Sequence, residues 1–528
     1  MQSLTRTAAL DGPETLIVDV ESCTTSGFAG LHLVGNTGEL CRDGKERAKT
    51  ALERLGYKLG QKRILINLAP ANCRKEGNHY DLPIAVSLAC LSTERSPAHD
   101  PAAFLFAAEL SLDGQLRPIR AAVPMALAGM QNGLKGIVLA RANEPEVRTL
   151  HRLVKGTKTP LTLLFFDHLK DVLAWLFDDV RLSLPAFTLE TELANERPNF
   201  DDMHLTPDLE ELALCCAIGR HSLLLRGSPG AGKSMFISRL PSITPLMQPQ
   251  QHFETLQTYS RYEEHIPSSI LNGEAPFRHP HHSSSPQALL GTGHEPGDLS
   301  LAHGGILFLD ELPEFRRDLL EALREPLETK LVQISRAQKK CSWPADIQFV
   351  AACNNCPCGW YGSSKVECRC SSSRLLAYWA RISGPILDRI DIHFNLPEPA
   401  QVNAHLFVAG NRASVGQTQR LKELVETARN FSLCRNSRLG IRFNNELNAD
   451  RMSDGAECSP EEFAQLLNLL LPLHLSNRAL LRCLRVARSL ADIAQRRKIT
   501  DSDVMKAASW QAKAADRQQG EKLFAGVY

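Results

Sequence analysis

The sequence lacks long apolar runs, a dense set of cysteines and an excess of either charge. A membrane span needs about 18 consecutive apolar residues, and no stretch of the sequence is that long. Acidic residues interrupt the first twenty positions, where a signal peptide would need an unbroken apolar core. The 15 cysteines are too dilute and too irregularly spaced for a secreted disulfide scaffold. We therefore expect a cytoplasmic protein that has no membrane partner.

The charge balance excludes a basic field over the whole chain. The 60 basic and 59 acidic side chains leave a formal net charge of +1. Any binding to nucleic acid must therefore come from local patches or from an assembled ring. The composition, 43% hydrophobic and 23% charged, is ordinary for a globular protein and excludes collagen-like, mucin-like and wholly disordered classes.

The hydrophobic pattern divides the chain into three units and a linker. Residues 1–181 alternate short apolar runs with helix-like stretches, which is typical of mixed α/β structure. The acidic, proline-punctuated stretch over 182–207 predicts a linker. A strand, a glycine-rich turn and a helix then predict a nucleotide-binding α/β unit over 208–400. The remainder, 401–528, has an almost entirely helical pattern.

The segment GSPGAGKS fits the phosphate-loop pattern GxxxxGK[ST] in full. Its glycines let successive backbone N–H groups turn onto phosphates, Lys233 would reach the terminal phosphates, and the Ser234 hydroxyl would ligate magnesium. The flanking strand HSLLLRG and helix MFISRL favour this interpretation over a plain glycine-rich helix cap. The predicted nucleotide-binding residues are Gly227, Ser228, Pro229, Gly230, Ala231, Gly232, Lys233 and Ser234.

Two further strands end in polar residues. GGILFLDE predicts a buried parallel strand that ends at Asp310 and Glu311. Asp310 would hold hydrated magnesium, and Glu311 would orient and polarise the attacking water. The strand IQFVAAC ends at Asn354, an amide that can contact the γ-phosphate or the water. Asn355 follows at once, so the sequence does not decide between the two asparagines.

Several longer segments carry a family resemblance. PFRHPHHSSS, PGDLSLAHGGILFLDELPEF, CNNCPCGWYG, ECRC and RISGPILDRIDIHFNLPEP resemble the magnesium-chelatase-like AAA+ ATPases. GLHLVGNTGEL, RILINLAPANCRKEGNHYDLPIAV and AELSLDGQLRPIR resemble the Lon-protease-like N-terminal domain of that family. The resemblance implies a Lon-like α/β N-terminal domain, an AAA+ P-loop domain with a parallel sheet, and a C-terminal helical lid.

The resemblance also implies an assembly and further site residues. The family forms hexameric rings that hydrolyse ATP between subunits and move DNA through the centre, and it includes a branch-migration helicase of natural transformation. Arg389 would be the arginine finger that reaches the neighbouring subunit's γ-phosphate, with Arg381 as a second candidate. Arg478 would be the sensor of the lid. The arginines that follow it at helical spacing predict a solvated or subunit-facing stripe: Arg482, Arg485 and Arg488.

The sequence departs from the family in two places. DDMHLTPDL puts Leu205 and Thr206 where the family usually has a GQ-type entry box, and this affects the adenine pocket. The glycine-rich loop LLGTGHEPGD, before the strand that ends at Asp310, is shorter than usual.

The N-terminal unit lacks the residues of a Lon-type protease dyad, because no serine occurs from Arg74 through Val86 and no lysine between Leu116 and Leu134. Without a nucleophile and a lysine base we predict no peptidase activity.

Four cysteines form the close pairs CPC and CRC: Cys356, Cys358, Cys368 and Cys370. Four thiolates can close a tetrahedral zinc site that would pin the loop after the third strand. The C-x-C spacing is tighter than the usual gap, so free thiols and a redox pair remain alternatives.

Candidate DNA contacts lie in two segments. ISRAQKKCSWP predicts a β-hairpin tip that carries Arg336, Lys339 and Lys340 beside Trp343, suited to single-stranded DNA in a ring. PFRHPHH predicts a second pore loop, with Phe277, Arg278 and the histidine pair His281 and His282. A solvated turn is the alternative for either segment.

The motifs therefore predict hydrolysis of ATP with Mg. The resemblance implies a hexameric motor that acts on single-stranded or branched DNA, with recombination proteins as partners. The alternatives are the motor of a magnesium-chelatase complex, which inserts magnesium into a porphyrin, and a protein remodeller.

Overall fold

The computed structural model describes residues 2–60, 62–93, 95–154, 161–180, 197–336, 339–397 and 416–511. Most of the predicted linker, residues 182–196, lies outside the described residues. So do residues 401–415 and 512–528 of the predicted lid. Within the described part of the chain, none of the helices combines the length and the apolar character needed to cross a bilayer.

The first region contains a seven-stranded mixed sheet in the order β3-β4-β2-β1-β5-β8-β9. Helices pack on it, and the short strands β6 and β7 pair only with each other. Strands β5 and β8 are buried on both faces, as expected of parallel strands between helical layers. The strands are β1 (Gln2–Asp11), β2 (Glu14–Thr25), β3 (Gly30–Val34), β4 (Arg63–Ala69), β5 (Phe104–Ala107), β6 (Glu109–Leu110), β7 (Leu116–Arg117), β8 (Gly136–Ala140) and β9 (Thr162–Phe166). The helices are α1 (Glu39–Arg54), α2 (Asp81–Ser92), α3 (Ala122–Gln131), α4 (Glu144–Leu153) and α5 (Leu169–Asp178).

The second region contains a five-stranded parallel sheet in the order β11-β12-β15-β10-β16. Its central strands are short and buried along almost their whole length, so burial on both faces holds the layer. Its strands are β10 (Leu223–Arg226), β11 (Phe277–Arg278), β12 (Ile306–Leu309), β15 (Gln348–Cys353) and β16 (Ile392–Asn395). A separate antiparallel hairpin consists of β13 (Leu331–Arg336) and β14 (Lys339–Pro344).

The helices of the second region flank this sheet. They are α6 (Pro207–Gly219), α7 (Lys233–Arg239), α8 (Pro249–Tyr262), α9 (Ser268–Leu271), α10 (Pro286–Leu290), α11 (Asp298–Leu301), α12 (Arg317–Ala322), α13 (Arg324–Thr329), α14 (Ser372–Trp379) and α15 (Gly384–Leu387). Thr206, in the degenerate entry box, caps α6 with its side chain. The proline that follows supplies the fixed φ that suits a first helical position.

The third region is helical, as predicted. Its helices are α16 (Gln417–Leu439), α17 (Met452–Ala456), α18 (Pro460–Leu470), α19 (Asn477–Ile493) and α20 (Asp501–Ser509). Helices α16 and α19 pack on α6 in one core with the parallel sheet.

The predicted solvated arginine stripe of α19 is wrong. Arg482 and Arg488 are buried, and Arg485 is half-buried. The guanidinium of Arg488 lies 2.9 Å from the buried carboxylate of Asp492. Arg482 and Arg485 donate to backbone carbonyls instead. A buried carboxylate needs a paired cation and buried carbonyls need donors, so the three arginines face inward.

Helix α8 joins the first two regions. Its Leu256 is buried in the same apolar cluster as the helices α3 and α4. The backbone carbonyl of Ser260 accepts a hydrogen bond from the N–H of Ala121, and the Ser260 hydroxyl accepts one from the N–H of Val123. Arg261 donates to the carbonyl of Pro13 in the turn between β1 and β2 at 2.5 Å. A helix from the second region thus completes the core of the first.

Candidate functional site

The parallel sheet collects the predicted site residues at one edge. The phosphate loop follows β10, Asp310 follows β12, and Asn354 follows β15. Strand β15 lies between β12 and β10, so its carboxyl end lies between the phosphate loop and the carboxylates. Since carboxyl ends of parallel strands meet at one edge, this topology brings three distant sequence segments together.

Lys233 is the centre of this edge. Its ammonium donates to the carbonyls of Gly227 and Ser228 and to Oδ1 of Asn354, each at 2.9 Å. Burial lowers the pKa of Lys233, and nearby acidic groups oppose that shift. Gly230 and Gly232 have φ of 75° and 88°, a conformation that disfavours side chains and turns backbone N–H groups into the loop.

Ser234 and Asp310 form an oxygen-rich pair. The Ser234 hydroxyl donates to Oδ2 of Asp310 at 2.5 Å, and Oδ1 of Asp310 accepts the N–H of Glu311 at 2.8 Å. A hydroxyl and a carboxylate are hard oxygen donors of the kind that magnesium prefers. The donor set therefore fits this ion.

Glu311 occupies a left-handed backbone conformation, with φ of 51°. Such a conformation costs a non-glycine residue about 1–3 kcal/mol and is common at functional sites. Oε2 of Glu311 lies 3.5 Å from Nδ1 of His282. The turn directs Asp310 toward Ser234 while its neighbour Glu311 lines a cavity.

The structure separates the two asparagines that the sequence left open. Asn354 contacts Lys233, whereas the side-chain amide of Asn355 donates to the carbonyl of Tyr361 at 3.3 Å. The Tyr378 hydroxyl donates to the Asn354 carbonyl at 3.3 Å. Asn354 is therefore the one that lies at the phosphate loop.

A cavity of about 600 Å³ opens beside this edge. Its wall combines carboxylates, arginines and aromatic side chains. Arg381 contacts the wall residue Glu314 at 2.9 Å. The lining residues are His282, Glu311, Glu314, Asn354, Cys356, Pro357, Arg374, Ala377, Tyr378 and Arg381. Sequence reasoning did not identify Arg374 and Tyr378, which share helix α14, and it gave His282 only as a pore-loop candidate.

Arg389 and Arg478 do not join this edge. Arg389 precedes β16, and its carbonyl accepts a hydrogen bond from the hydroxyl of Ser222. Because Ser222 immediately precedes β10, Arg389 lies at the amino ends of these parallel strands. Its guanidinium donates to Glu328 at 2.5 Å, and Arg478 lies 3.7 Å from the same carboxylate. The two predicted arginines therefore lie together, at the opposite edge from Lys233.

Four cysteines lie together in the loop after β15. The Sγ atoms of Cys356, Cys358, Cys368 and Cys370 all lie within 4.8 Å of one another. Burial raises the pKa of the Cys356 thiol to about 12, whereas a backbone hydrogen bond at Trp360 lowers the pKa of Cys358 to about 6. The cluster is a candidate zinc site, because four convergent cysteine sulfurs can bind one zinc ion as thiolates.

The predicted DNA segments have different surroundings. In the hairpin, Arg336 pairs with Lys339 in antiparallel register, and the turn residues 337–338 lie outside the described residues. The prediction that Trp343 adds an exposed aromatic to the tip is wrong, because Trp343 is buried and donates its indole N–H to the Thr292 carbonyl. The DNA contact of the hairpin stays a prediction.

Phe277 and Arg278 form the edge strand β11 rather than a free loop. Phe277 packs against the central core, and the Arg278 guanidinium donates to Asp298 at 2.6 and 2.8 Å. Both side chains therefore serve the fold, and a DNA contact by them stays a prediction.

In the N-terminal region, the segment without a serine nucleophile contains the buried residue Asp81. Helix α2 begins at Asp81, whose buried carboxylate accepts from Arg47 at 2.7 Å and from the N–H of Leu110 at 3.1 Å. A carboxylate held in this way offers no hydroxyl nucleophile. The absence of peptidase activity stays a prediction.

Family models match three segments of this chain. The model for magnesium chelatase, subunit ChlI, matches residues 202–404. A model for subunit ChlI of Mg-chelatase matches residues 20–143, and one for the ChlI C-terminal segment matches residues 416–511.

Full-length relatives agree with these matches. The chain is 34% identical over 521 residues to uncharacterized protein YifB of Escherichia coli (strain K12), covering 97% of each protein. It is 34% identical over 514 residues to competence protein ComM of Haemophilus influenzae, covering 95% of this chain and 96% of that relative. A Lon protease of Salinispora arenicola is 26% identical over 162 residues, covering 29% of this chain and 20% of the protease.

The fold agrees with these matches: a mixed α/β first region, a phosphate-loop region on a parallel sheet and a helical third region. The partial match to Lon protease fits an AAA+ protein. Membership of an ATPase family supports ATP hydrolysis and the use of ATP with magnesium. The chain belongs to the magnesium-chelatase-like AAA+ ATPase family, and it is similar over nearly its whole length to ComM and YifB.

Proposed function

We propose that this protein is an ATP-driven DNA motor, a branch-migration helicase that works as a homo-hexamer in the cytoplasm. The observation that carries the proposal is the contact of Lys233 with Asn354 beside the Ser234–Asp310 pair. The competence protein among its relatives extends the proposal to the integration of DNA during natural transformation or homologous recombination, with recombination proteins as partners. The proposed domains are 1–181, the linker 182–207, the ATPase domain 208–400 and the lid 401–528.

Each site residue has one task in this proposal. Ser234 and Asp310 would hold magnesium, which offsets phosphate charge when bound. Lys233 and the glycine-rich backbone bind the phosphates. Glu311 orients and polarises the attacking water, and Asn354 holds the γ-phosphate or that water. These side chains supply position and charge, which is most of what phosphoryl transfer needs.

The arginine finger would come from the neighbouring copy. Arg389 lies at the strand edge opposite Lys233, so it cannot serve the site of its own chain without a large rearrangement. A ring presents this edge to the next subunit's phosphate loop, and the planar guanidinium of Arg389 then stabilises the charge of the transferring phosphoryl group. Arg478, near the same Glu328 carboxylate, would serve the neighbouring site with it.

Two further sites complete the proposal. The hairpin residues Arg336, Lys339 and Lys340 would contact the backbone of single-stranded or branched DNA in the centre of the ring. The four cysteines would bind one structural zinc ion.

The first test is steady-state ATP hydrolysis by the purified full-length chain, with and without single-stranded and branched DNA. We expect a several-fold stimulation by DNA, and we expect Lys233→Ala to abolish hydrolysis in both conditions. Hydrolysis that is indifferent to DNA would contradict the proposal. It would favour the motor of a magnesium-chelatase complex, the function for which the matching family is described. Stimulation by protein alone would favour a protein remodeller.

The DNA arm has its own variant. Lys339→Ala together with Lys340→Ala should weaken DNA binding and flatten its salt dependence by about one unit of log–log slope per lost phosphate contact. Basal hydrolysis should not change. Lys422→Ala, an exposed lysine of α16, is the control. Unchanged DNA affinity in the hairpin variant would reject this contact.

A further inference from the structure

The four-cysteine cluster has the dimensions of a site for one metal ion. Three of its Sγ–Sγ distances are 3.3, 3.6 and 3.7 Å, and no pair exceeds 4.8 Å. Tetrahedral zinc with Zn–S bonds of about 2.3 Å places its sulfurs about 3.8 Å apart. A multinuclear iron–sulfur cluster needs more room between its cysteines, because metal and sulfide ions fill the centre. The geometry therefore fits a single zinc ion.

The cysteine loop contacts the ATP site directly. Cys356 lies two residues after Asn354 and lines the same cavity. Gly359, with φ of 87°, packs so closely on the phosphate loop that a Cβ there would lie 2.4 Å from Cγ of Pro229. Any side chain at position 359 would therefore displace one of the two loops.

Internal hydrogen bonds tie this loop to Asn355. The N–H of Tyr361 donates to Sγ of Cys356 at 3.3 Å, and the Tyr361 carbonyl accepts the side-chain amide of Asn355. Asn355 is adjacent to Asn354, so the cysteine loop fixes the peptide from which Asn354 projects toward Lys233.

The second cysteine pair leads into helix α14. Cys370 immediately precedes Ser371, whose side chain caps α14 by accepting the N–H of Arg374. Helix α14 brings Arg374 and Tyr378 to the cavity, and Tyr378 donates to the Asn354 carbonyl. One ion bound by all four sulfurs would thus join the end of β15 to the start of α14.

The cysteine loop has no regular secondary structure. Between Cys356 and Cys370 it contains no helix or strand, and most of its side chains are exposed or half-buried. A segment with few buried apolar contacts opens easily unless a metal or a cross-link restrains it.

We propose that zinc bound by Cys356, Cys358, Cys368 and Cys370 holds Asn354 in the position that ATP hydrolysis requires. Zinc then controls turnover rather than nucleotide affinity, because Lys233 and the glycine-rich backbone, which bind phosphates, do not belong to the cysteine loop. This inference rests on the proposed function, since the reaction that zinc supports is the proposed hydrolysis of ATP.

The experiment compares the wild-type chain with Cys368→Ser, which removes one ligand far from Asn354 in sequence. Elemental analysis should find one zinc per wild-type chain and little in the variant. The kcat for ATP should fall about tenfold or more, as expected when a hydrogen-bonding group of the transition state is displaced. The Kd for ADP should stay within about threefold of the wild-type value, since the phosphate loop is intact.

Two matched variants show whether the loss belongs to the metal. Cys434→Ser alters an exposed cysteine of α16 and should retain both zinc and kcat. Cys370→His replaces one zinc ligand by another and should retain zinc and most of the turnover. A zinc-free wild-type chain with full activity, or a Cys368→Ser chain with unchanged kcat, would overturn the inference.

Hydrogen exchange separates this inference from the proposed function. Removal of zinc should increase exchange over residues 354–361 and in α14, with no change in α19. If the wild-type chain binds zinc and shows this exchange difference but does not hydrolyse ATP, the proposed function is contradicted, and the structural effect of zinc is not. Unchanged exchange after zinc removal would contradict the inference itself.

Discussion

At the residue scale, two adjacent carboxylates have different surroundings. Asp310 accepts from Ser234 and from the backbone N–H of Glu311, while Glu311 itself lines the cavity near His282. The left-handed backbone at Glu311 produces this divergence. In the proposed function, this strained conformation separates the magnesium ligand Asp310 from Glu311, which would act on water.

Glu311→Gln tests this division of tasks. The amide keeps the shape of the side chain but cannot polarise water as a carboxylate does, so kcat should fall about a hundredfold or more. Binding of ATP and magnesium should persist, because Lys233, Ser234 and Asp310 are intact. Single-turnover hydrolysis and equilibrium nucleotide binding measure the two quantities. Glu325→Gln, on the exposed face of α13, is the control, and equal losses in both variants would contradict the role of Glu311.

The sequence predicted the residues that lie in continuous motifs better than those that meet only in the fold. The phosphate loop and the strand-end residue Asp310 were predicted from local patterns, and the structure places them in contact through Ser234. Tyr378 was not predicted, and His282 was predicted only in a pore loop, because their contacts with Asn354 and Glu311 depend on tertiary packing. Spacing alone cannot reveal such contacts.

At the element scale, helix α8 connects the first region to the second through a buried carboxyl group. Glu146 of α4 accepts from Asn143 at 2.6 Å and from Ser260 of α8 at 2.7 Å. Both partners are neutral, and burial raises the pKa of Glu146 from 4.5 to about 8. The folded protein therefore favours the protonated carboxyl group over a wide pH range.

This shift predicts a loss of stability with rising pH. Between pH 4.5 and about pH 8 the folded state holds a proton that the unfolded state releases, so the free energy of unfolding falls as pH rises. From about pH 6 to about pH 8 the contribution of Glu146 is about 2 kcal/mol. Glu146→Gln should remove this dependence in thermal unfolding measured across that range. A variant whose melting temperature falls with pH as steeply as that of the wild type would contradict the assignment.

The periodicity of the sequence predicted the elements, but not every partner. The helical third region and the β13–β14 hairpin agree with their patterns. The prediction for the polar face of α19 was wrong, because charge periodicity does not distinguish water from buried partners such as the Asp492 carboxylate and backbone carbonyls. Nor could the pattern of α8 show that its Leu256 packs in the first region, since an apolar stripe does not specify what covers it.

At the scale of the whole molecule, the residues of the proposed site lie at two edges of one sheet. Lys233 lies at the carboxyl ends of the strands, and Arg389 lies at their amino ends with Arg478 nearby. A closed ring brings unlike edges of neighbouring copies together, since its interfaces are head-to-tail. In the proposed ring, a complete active site would need two chains.

Mixed rings test this requirement. Lys233→Ala and Arg389→Ala should each abolish hydrolysis alone, because one loses the phosphate contact and the other loses the finger. Mixed in equal amounts, they should recover up to about a quarter of wild-type activity, the share of interfaces that pair an intact Lys233 with an intact Arg389. No recovery, in rings shown by native mass spectrometry to be mixed, would contradict a finger supplied in trans.

The most direct test of the central claim, ATP-driven movement on DNA, is displacement of a labelled strand from a branched substrate. The wild-type chain should displace the strand with ATP and magnesium, and it should fail with a non-hydrolysable analogue. Glu311→Gln should bind the same DNA but displace nothing. Strand displacement by Glu311→Gln, or none by a wild-type chain whose hydrolysis responds to DNA, would contradict the account.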